Sequence, residues 1–213
     1  MKYAALIPAA GEGRRMDLGY NKDYYRMDDR TVLEHSMRLF LEDEDCEQIV
    51  VVTDPALYLR NIGVNGKVLL AMGGDMRQQS VANGLKAVIS GTVFIHDGAR
   101  PYLDKKDLEA VKQAMETCEA ACLAVPSKDT VKIVKNGYIA GTPDRETLYN
   151  AQTPQAFRTE LLRTCMEQAV QEGYTGTDDC SVVERFSSTP IRIVAGSYEN
   201  IKLTTPEDLR KGN

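Results

Sequence analysis

Residues 4–16 read Ala4-Ala5-Leu6-Ile7-Pro8-Ala9-Ala10-Gly11-Glu12-Gly13-Arg14-Arg15-Met16, an apolar run that breaks into a turn of small residues and then two arginines. Continuous apolarity, unlike alternation, suits a parallel strand covered on both faces. Runs of the same kind recur at Gln48-Ile49-Val50-Val51-Val52, Val68-Leu69-Leu70, Thr92-Val93-Phe94-Ile95 and Ala121-Cys122-Leu123-Ala124-Val125. Helical stripes lie between and beyond them. Thr31 and Glu34 form a capping box ahead of Leu33, Met37 and Phe40. Val81, Leu85, Val88 and Ile89 make a second stripe that stops at Gly91. Leu108, Val111 and Met115 make a third, and Leu162, Met166, Ala169 and Val170 a fourth that stops at Gly173. Each stripe is expected to face the core. Alternation of strand and helix over residues 1–125 predicts a doubly wound α/β sheet.

The alternation fails after Pro126. Thr130-Val131-Lys132-Ile133-Val134-Lys135, Asn136-Gly137 and Tyr138-Ile139-Ala140 predict a β-hairpin, the Asn-Gly pair being suited to a type I′ turn. Its polar, lysine-bearing character fits either an edge hairpin or an arm packed on another subunit.

Composition limits what such a sheet can serve. The chain has 213 residues, 43% hydrophobic and 27% charged, which fits one globular domain spanning 1–213. Lys+Arg total 26 against 31 Asp+Glu, a net charge of -5, which argues against nonspecific binding to nucleic acid or anionic membrane. An anionic substrate then requires a local basic cluster. The longest apolar run, residues 3–10, is far short of the roughly 20 a membrane span needs. Its short core and the charged residues behind it also disfavour a signal peptide. Five cysteines, an odd number without CxxC spacing, fit free thiols in a reducing cytoplasm better than disulfides or zinc.

In an open α/β sheet, ligands collect at the carboxyl ends of strands. The turn after the first strand is therefore a candidate phosphate site, its small residues letting backbone N–H groups approach an anion. It is not a Walker A loop, and Met16 stands where the dinucleotide fingerprint would have its last glycine. Arg14, Arg15 and Lys22 suit a strongly anionic ligand such as a nucleoside triphosphate; the alternative is a tight turn with solvated arginines. His96-Asp97-Gly98-Ala99-Arg100-Pro101 lies at another strand end. Asp97 there is a candidate Mg²⁺ ligand, a hard oxygen donor beside phosphates, or else a turn cap. His35 and His96 form no ligand cluster. No GxSxG elbow or HExxH occurs, leaving covalent nucleophilic and metalloprotease chemistry without support.

Taken in order, several stretches resemble the 2-C-methyl-D-erythritol 4-phosphate cytidylyltransferase family. They are Pro8-Ala9-Ala10-Gly11-x-Gly13-x-Arg15-Met16 with Lys22; Gly73-Gly74-Asp75-x-Arg77-x-x-Ser80-Val81; His96 to Pro101; Asp129-Thr130-Val131-Lys132; Thr153-Pro154-Gln155-Ala156-Phe157; Thr177-Asp178-Asp179; and Asn200-Ile201-Lys202. The resemblance implies a Rossmann-like, mostly parallel sheet with helices on both faces. It also implies a protruding β-arm, residues 127–152, that joins a homodimer. The implied reaction unites CTP and 2-C-methyl-D-erythritol 4-phosphate, with Mg²⁺, into a CDP-alcohol and pyrophosphate. By resemblance Arg15, Lys22, Arg145 and Lys202 are catalytic. Pro8, Ala9, Ala10, Gly11, Gly13, Gly74, Asp75, Ser80 and Asp97 hold the nucleotide, with Asp97 also the metal ligand. Arg100, Thr130, Arg145 and Thr153 hold the alcohol phosphate, and Arg145 and Thr153 come from the partner's arm.

The chain departs from the family's Pro-Lys-Gln at Asn21-Lys22-Asp23. Loss of the proline is expected to loosen the approach to Lys22, and an exposed Asp23 to weaken triphosphate binding by about 1 kcal/mol. The sequence ends soon after Thr205-Pro206-Glu207-Asp208-Leu209, where relatives commonly continue a helix. Competing readings are a ribitol-5-phosphate cytidylyltransferase, a nicotinamide-dependent dehydrogenase and a catalytically silent nucleotide binder.

Overall fold

The computed structural model describes residues 1–11 and 19–209. In chain order its strands are β1 (Tyr3–Pro8), β2 (Arg26–Met27), β3 (Arg30–Thr31), β4 (Cys46–Thr53), β5 (Val68–Met72), β6 (Thr92–Ile95), β7 (Ala120–Pro126), β8 (Ile133–Lys135), β9 (Tyr138–Gly141), β10 (Tyr149–Arg158) and β11 (Ile191–Ala195). Its helices are α1 (Val32–Glu42), α2 (Pro55–Asn61), α3 (Arg77–Leu85), α4 (Lys105–Ala114), α5 (Thr159–Glu172), α6 (Asp179–Phe186) and α7 (Pro206–Leu209). Seven strands form the central sheet in the order β11-β7-β10-β6-β1-β4-β5. Only β10 runs against the rest, antiparallel to both β6 and β7.

The apolar run in β1 shows why the sheet is covered twice. Side chains alternate along a strand, so Tyr3, Ala5 and Ile7 join a core with Leu33, Met37 and Phe40 of α1 and Leu108 and Val111 of α4. Ala4 and Leu6 point the other way, into a core with Val81 and Leu85 of α3, Leu162 and Met166 of α5, and Val182 and Val183 of α6. A run with no polar residue on either face is what this arrangement requires. Close approach helps on the α3 side, where a Cβ on Gly84 would lie 2.6 Å from Val52 Cγ2 and 2.9 Å from Leu6 Cδ1.

The capping box is present at Thr31 and Glu34, each side chain bonding the other residue's backbone N–H. α5 stops at Gly173, whose φ of +65° favours glycine. Two stripe positions differ from expectation. α3 ends at Leu85, so Ile89 lies beyond it and is 85% exposed, and Val170 on α5 is 65% exposed. Both are the last residue of their stripe: Ile89 falls after its helix has ended, and Val170 lies in the last turn of α5.

The hairpin forms as β8 and β9, with positive φ at both Asn136 (52°) and Gly137 (82°), as the turn type demands. It pairs with no strand of the central sheet. The projecting segment ends earlier than residue 152, because Tyr149, Asn150 and Ala151 already pair with β7. Among the described residues, no helix is long and apolar enough to cross a membrane.

Candidate active site

The loops following β1, β5 and β6 meet over a cavity of about 660 Å³ at the carboxyl end of the sheet. Pro8, Ala10 and Gly11 line it from the first loop, Gly74 and Asp75 from the second, Asp97, Gly98 and Ala99 from the third, with Ser80, Lys22, Asp23, Arg77 and Lys202 around them. The first two loops touch closely. A Cβ on Gly73 would lie 2.3 Å from Ala10 Cβ, so only glycine lets the β5 loop meet the β1 loop there. The Gly74 N–H donates to Ser80 Oγ at 3.0 Å and the Asp75 N–H to Gln79 Oε1 at 2.9 Å, fixing the second loop on α3.

Asp97 is the centre of charge. Its Oδ1 lies 3.1 Å from Arg77 Nε, and its Oδ2 lies 2.9 Å from Lys202 Nζ and 3.5 Å from Arg100 Nε. Burial alone would raise its pKa, but Arg77, Lys202 and Arg100 outweigh it and hold the carboxyl far below the usual range. Behind it, the Asp97 N–H donates to Thr153 Oγ1 at 3.0 Å, and that hydroxyl meets His96 Nδ1 at 3.1 Å. His96 Nε2 lies 3.1 Å from the Arg100 carbonyl. Burial lowers the His96 pKa to about 4, so the ring is neutral and positions the loop without adding charge.

Lys202 and Lys22 arrive from distant parts of the chain. Asn200, wholly buried, donates from Nδ2 to the Thr153 carbonyl at 2.9 Å and accepts from Arg100 Nη1 at 2.6 Å, anchoring the approach to Lys202. Lys22 Nζ donates to the Leu203 carbonyl, which lies just beyond. The two ammonium groups therefore share one wall of the cavity.

The Asn21-Lys22-Asp23 segment behaves differently from expectation. Asn21 Nδ2 donates to the Ala9 carbonyl at 2.7 Å, and its Oδ1 accepts from the Asp23 N–H at 3.0 Å. The amide pins the 3-10 turn Lys22–Tyr24 to the end of β1, so it fastens the approach that a missing proline was expected to loosen. Asp23 is only 4% exposed, not solvated. Burial pushes its pKa up to about 7 against the pull of Lys22 and Lys202.

Other residues fall elsewhere. Ala9 is 1% exposed and faces the core, so its side chain does not line the cavity. Thr153 is 4% exposed within β10 of the central sheet, held against His96 and Asp97 of its own chain. A residue so enclosed cannot reach into another subunit, which corrects its assignment to a partner's arm. Arg100 packs against Asp97 without lining the cavity. Thr130 and Arg145 are exposed on the projecting segment and do not line it either. Gly13 and Arg15 lie outside the described residues.

Arg77 and Asp179 carry no sequence-based role, yet they join the network. Arg77 Nη2 lies 2.8 Å from Asp179 Oδ2 while its Nε holds Asp97. Both stand in quoted motif stretches, but nothing in those stretches says that two segments about 100 residues apart meet.

Known proteins resemble this chain over nearly its whole length. The family model for 2-C-methyl-D-erythritol 4-phosphate cytidylyltransferase matches residues 3–213. A Bacillus velezensis protein of that name is 41% identical, covering 98% of this chain and 93% of its own length. One from Syntrophotalea carbinolica is 44% identical, covering 98% and 94%. The solved Francisella tularensis structure of the same name has a TM-score of 0.87 at 29% identity, covering 100% of this chain and 99% of that one. The ribitol phosphate, dehydrogenase and silent-binder alternatives are not favoured. With the match running from β1 to the carboxyl terminus and relatives above 40% identity, the chain belongs to the 2-C-methyl-D-erythritol 4-phosphate cytidylyltransferase family, a family of nucleotidyltransferase enzymes.

Proposed function

We infer that this chain joins CTP and 2-C-methyl-D-erythritol 4-phosphate, releasing pyrophosphate, in isoprenoid biosynthesis, and that the transfer occurs beside Asp97. The supporting observation is the set of cations from separate segments, Lys22, Arg77, Arg100 and Lys202, drawn to the cavity and its wall in a chain of net charge -5. A local concentration of cations at a cavity attracts an anionic ligand despite the chain's overall negative charge.

The substrate phosphate attacks the α-phosphorus of CTP in line. A P–O bond forms there as the α–β bridging P–O bond breaks, and its electrons leave with pyrophosphate. A phosphate monoester is already an anionic nucleophile near neutral pH, so no strong base is needed. The demand is to bring two anions together and to stabilise charge on the equatorial and leaving oxygens. Lys202, paired with Asp97, is poised to exchange that carboxylate for a phosphate oxygen, with Lys22 on the same wall; Arg15 has a catalytic role by the family resemblance alone. Pro8, Ala10 and Gly11 offer backbone to the nucleotide, and Gly74, Asp75 and Ser80 surround its nucleoside.

The described residues hold no group of three His, Cys, Asp or Glu side chains that could cage a metal. Magnesium carried by a nucleotide asks for only one or two carboxylates, the other donors being phosphate and water. Asp97, ionised and facing the cavity, fits as that ligand. When bound, the ion neutralises charge on the phosphate oxygens.

The projecting hairpin exposes Ile133 (48%), Val134 (58%), Tyr138 (78%) and Ile139 (67%). A two-stranded ribbon is marginal alone, and such an apolar surface suits a second copy of the chain. Arg145 and Thr130 on the same segment then reach the partner's alcohol phosphate. The five cysteines, all free thiols, suit a reducing cytoplasm. The test is pyrophosphate release with CTP, Mg²⁺ and either methylerythritol or ribitol phosphate. Turnover is expected with the first alone. Arg145→Glu should abolish it while calorimetry still detects CTP binding; equal loss of CTP affinity would remove Arg145 from the alcohol phosphate site.

A further inference from the structure

Among the described residues three cations touch Asp97, and they are held in different ways. Lys202 reaches it on a flexible stem that is 34% exposed and faces the cavity. Arg100 approaches at 3.5 Å while its Nη1 is committed to the Asn200 carbonyl. Of the three, Arg77 is the one that grips a second carboxylate among the described residues, Asp179 at 2.8 Å. Asp179 is 1% exposed and does not line the cavity.

The far anchor is itself fixed. Asp179 begins α6, directly after Asp178, whose capping box with Ser181 sets the start of that helix. Gln155 of β10 donates to Asp178 Oδ2 at 2.8 Å and accepts the Cys180 N–H at 3.1 Å, clamping the residues on both sides of Asp179. Arg77 begins α3. The guanidinium thus ties the first residues of two helices to the carboxylate at the start of the loop after β6.

We propose that Arg77, braced by Asp179, is the positioning residue that keeps the Asp97 carboxylate aimed into the cavity while Lys202 exchanges it for phosphate. The inference rests on the transferase reading above. Among the described residues Asp97 has two other cationic partners, Lys202 and Arg100, and the transfer draws Lys202 away. A carboxylate left with Arg100 alone is free to rotate toward the wall. The planar guanidinium, bonded to fixed carboxylates on two sides, prevents this, and a lysine with its single nitrogen does not replace it.

The experiment is a double-mutant cycle of Asp179→Asn and Arg77→Lys, read by steady-state pyrophosphate release with thermal unfolding alongside. Asp179→Asn removes only the distant anchor. Each single variant is expected to lower kcat by about 10- to 100-fold, as for a misplaced catalytic group, with the KM for CTP within about threefold of the wild type. The double variant is expected to be no worse than Arg77→Lys, since the anchor acts only through the arginine. Multiplying effects, or an Asp179→Asn chain with normal kcat, would overturn the proposal. If Asp179→Asn does not fold, Arg77→Lys decides alone, and a kcat within threefold of the wild type overturns it. A wild-type chain that releases no pyrophosphate overturns the transferase reading and this inference together. An active wild type with unimpaired variants overturns this inference only.

Discussion

Around Asp97, at the carboxyl ends of the strands, one carboxylate is ringed by Arg77, Arg100 and Lys202. Around Lys112, at the amino ends of β1 and β4, one ammonium is ringed by Asp45 at 2.8 Å, Asp43 at 2.9 Å and Glu109 at 3.2 Å. The two clusters have opposite polarity and differ in saturation. An ammonium has three N–H donors, and Lys112 has one carboxylate for each. Tyr3 adds a hydrogen bond to Asp43 Oδ2 at 2.8 Å. That end has nothing to exchange and ties α4 to the turn between α1 and β4. Lys202 faces a cavity and has one carboxylate among the described residues. Asp23 Oδ1, buried nearby, has no hydrogen-bond partner among them. One cluster is closed and serves stability, while the other is held open toward a ligand.

The comparison is broken most severely if Lys202 proves to be structural. Lys202→Met is expected to lower kcat by about 10²- to 10³-fold, the range for loss of one transition-state donor, while the thermal midpoint stays within about 2 °C. Pyrophosphate release and calorimetric unfolding on the same preparation check this; a large fall in midpoint with preserved turnover would reverse the roles of the two ends.

Asp23 sharpens the contrast, because a functional cleft should carry a stability deficit. Its folded pKa of about 7 lies above the ordinary 3.8, so the folded chain binds this proton more tightly than the unfolded one. The contribution to stability therefore falls as pH climbs from about 4 to about 7, then levels off. Asp23→Asn should flatten that slope and gain roughly 2–4 kcal/mol at pH 8. Urea unfolding from pH 4 to 8 measures it, and an unchanged slope would mean that Asp23 is not desolvated.

Lys112→Met should lower stability by about 2 kcal/mol, less than for a fully buried pair because Asp45 and Glu109 are 37% and 51% exposed. Turnover of the folded protein should be unaffected. Asp43 resists burial through hydrogen bonds from the Asp45 amide, Lys112 and Tyr3, which hold its pKa below the ordinary value. That contribution is present above about pH 4 and lost as pH falls further, so wild type and variant should converge in acid. A persistent gap at low pH would assign the effect to packing.

Local physics wrote much of this molecule into its sequence. The runs at Ala4–Ile7, Gln48–Val52 and Thr92–Ile95 could hardly be anything but covered strands, and Asn136-Gly137 specified its own turn. What escaped depended on partners far along the chain. β10 lacks a continuous apolar run because Gln152, Thr153 and Gln155 are polar, yet each is buried through bonds to Ser197, Asp97 or Asp178. β11 is an edge strand, with Ile193 50% exposed, so its apolar signal is weak.

The same division holds in the site. Pattern and spacing alone determined a doubly wound sheet, a small-residue turn where an anion can approach backbone, and Asp97 at a strand end, because each depends on residues within a few positions of one another. Only the tertiary structure decided that Lys202 would sit on Asp97, that Arg77 would bridge it to Asp179, and that Asp23 would be buried. Charges act through space, and the fold sets the distances between them.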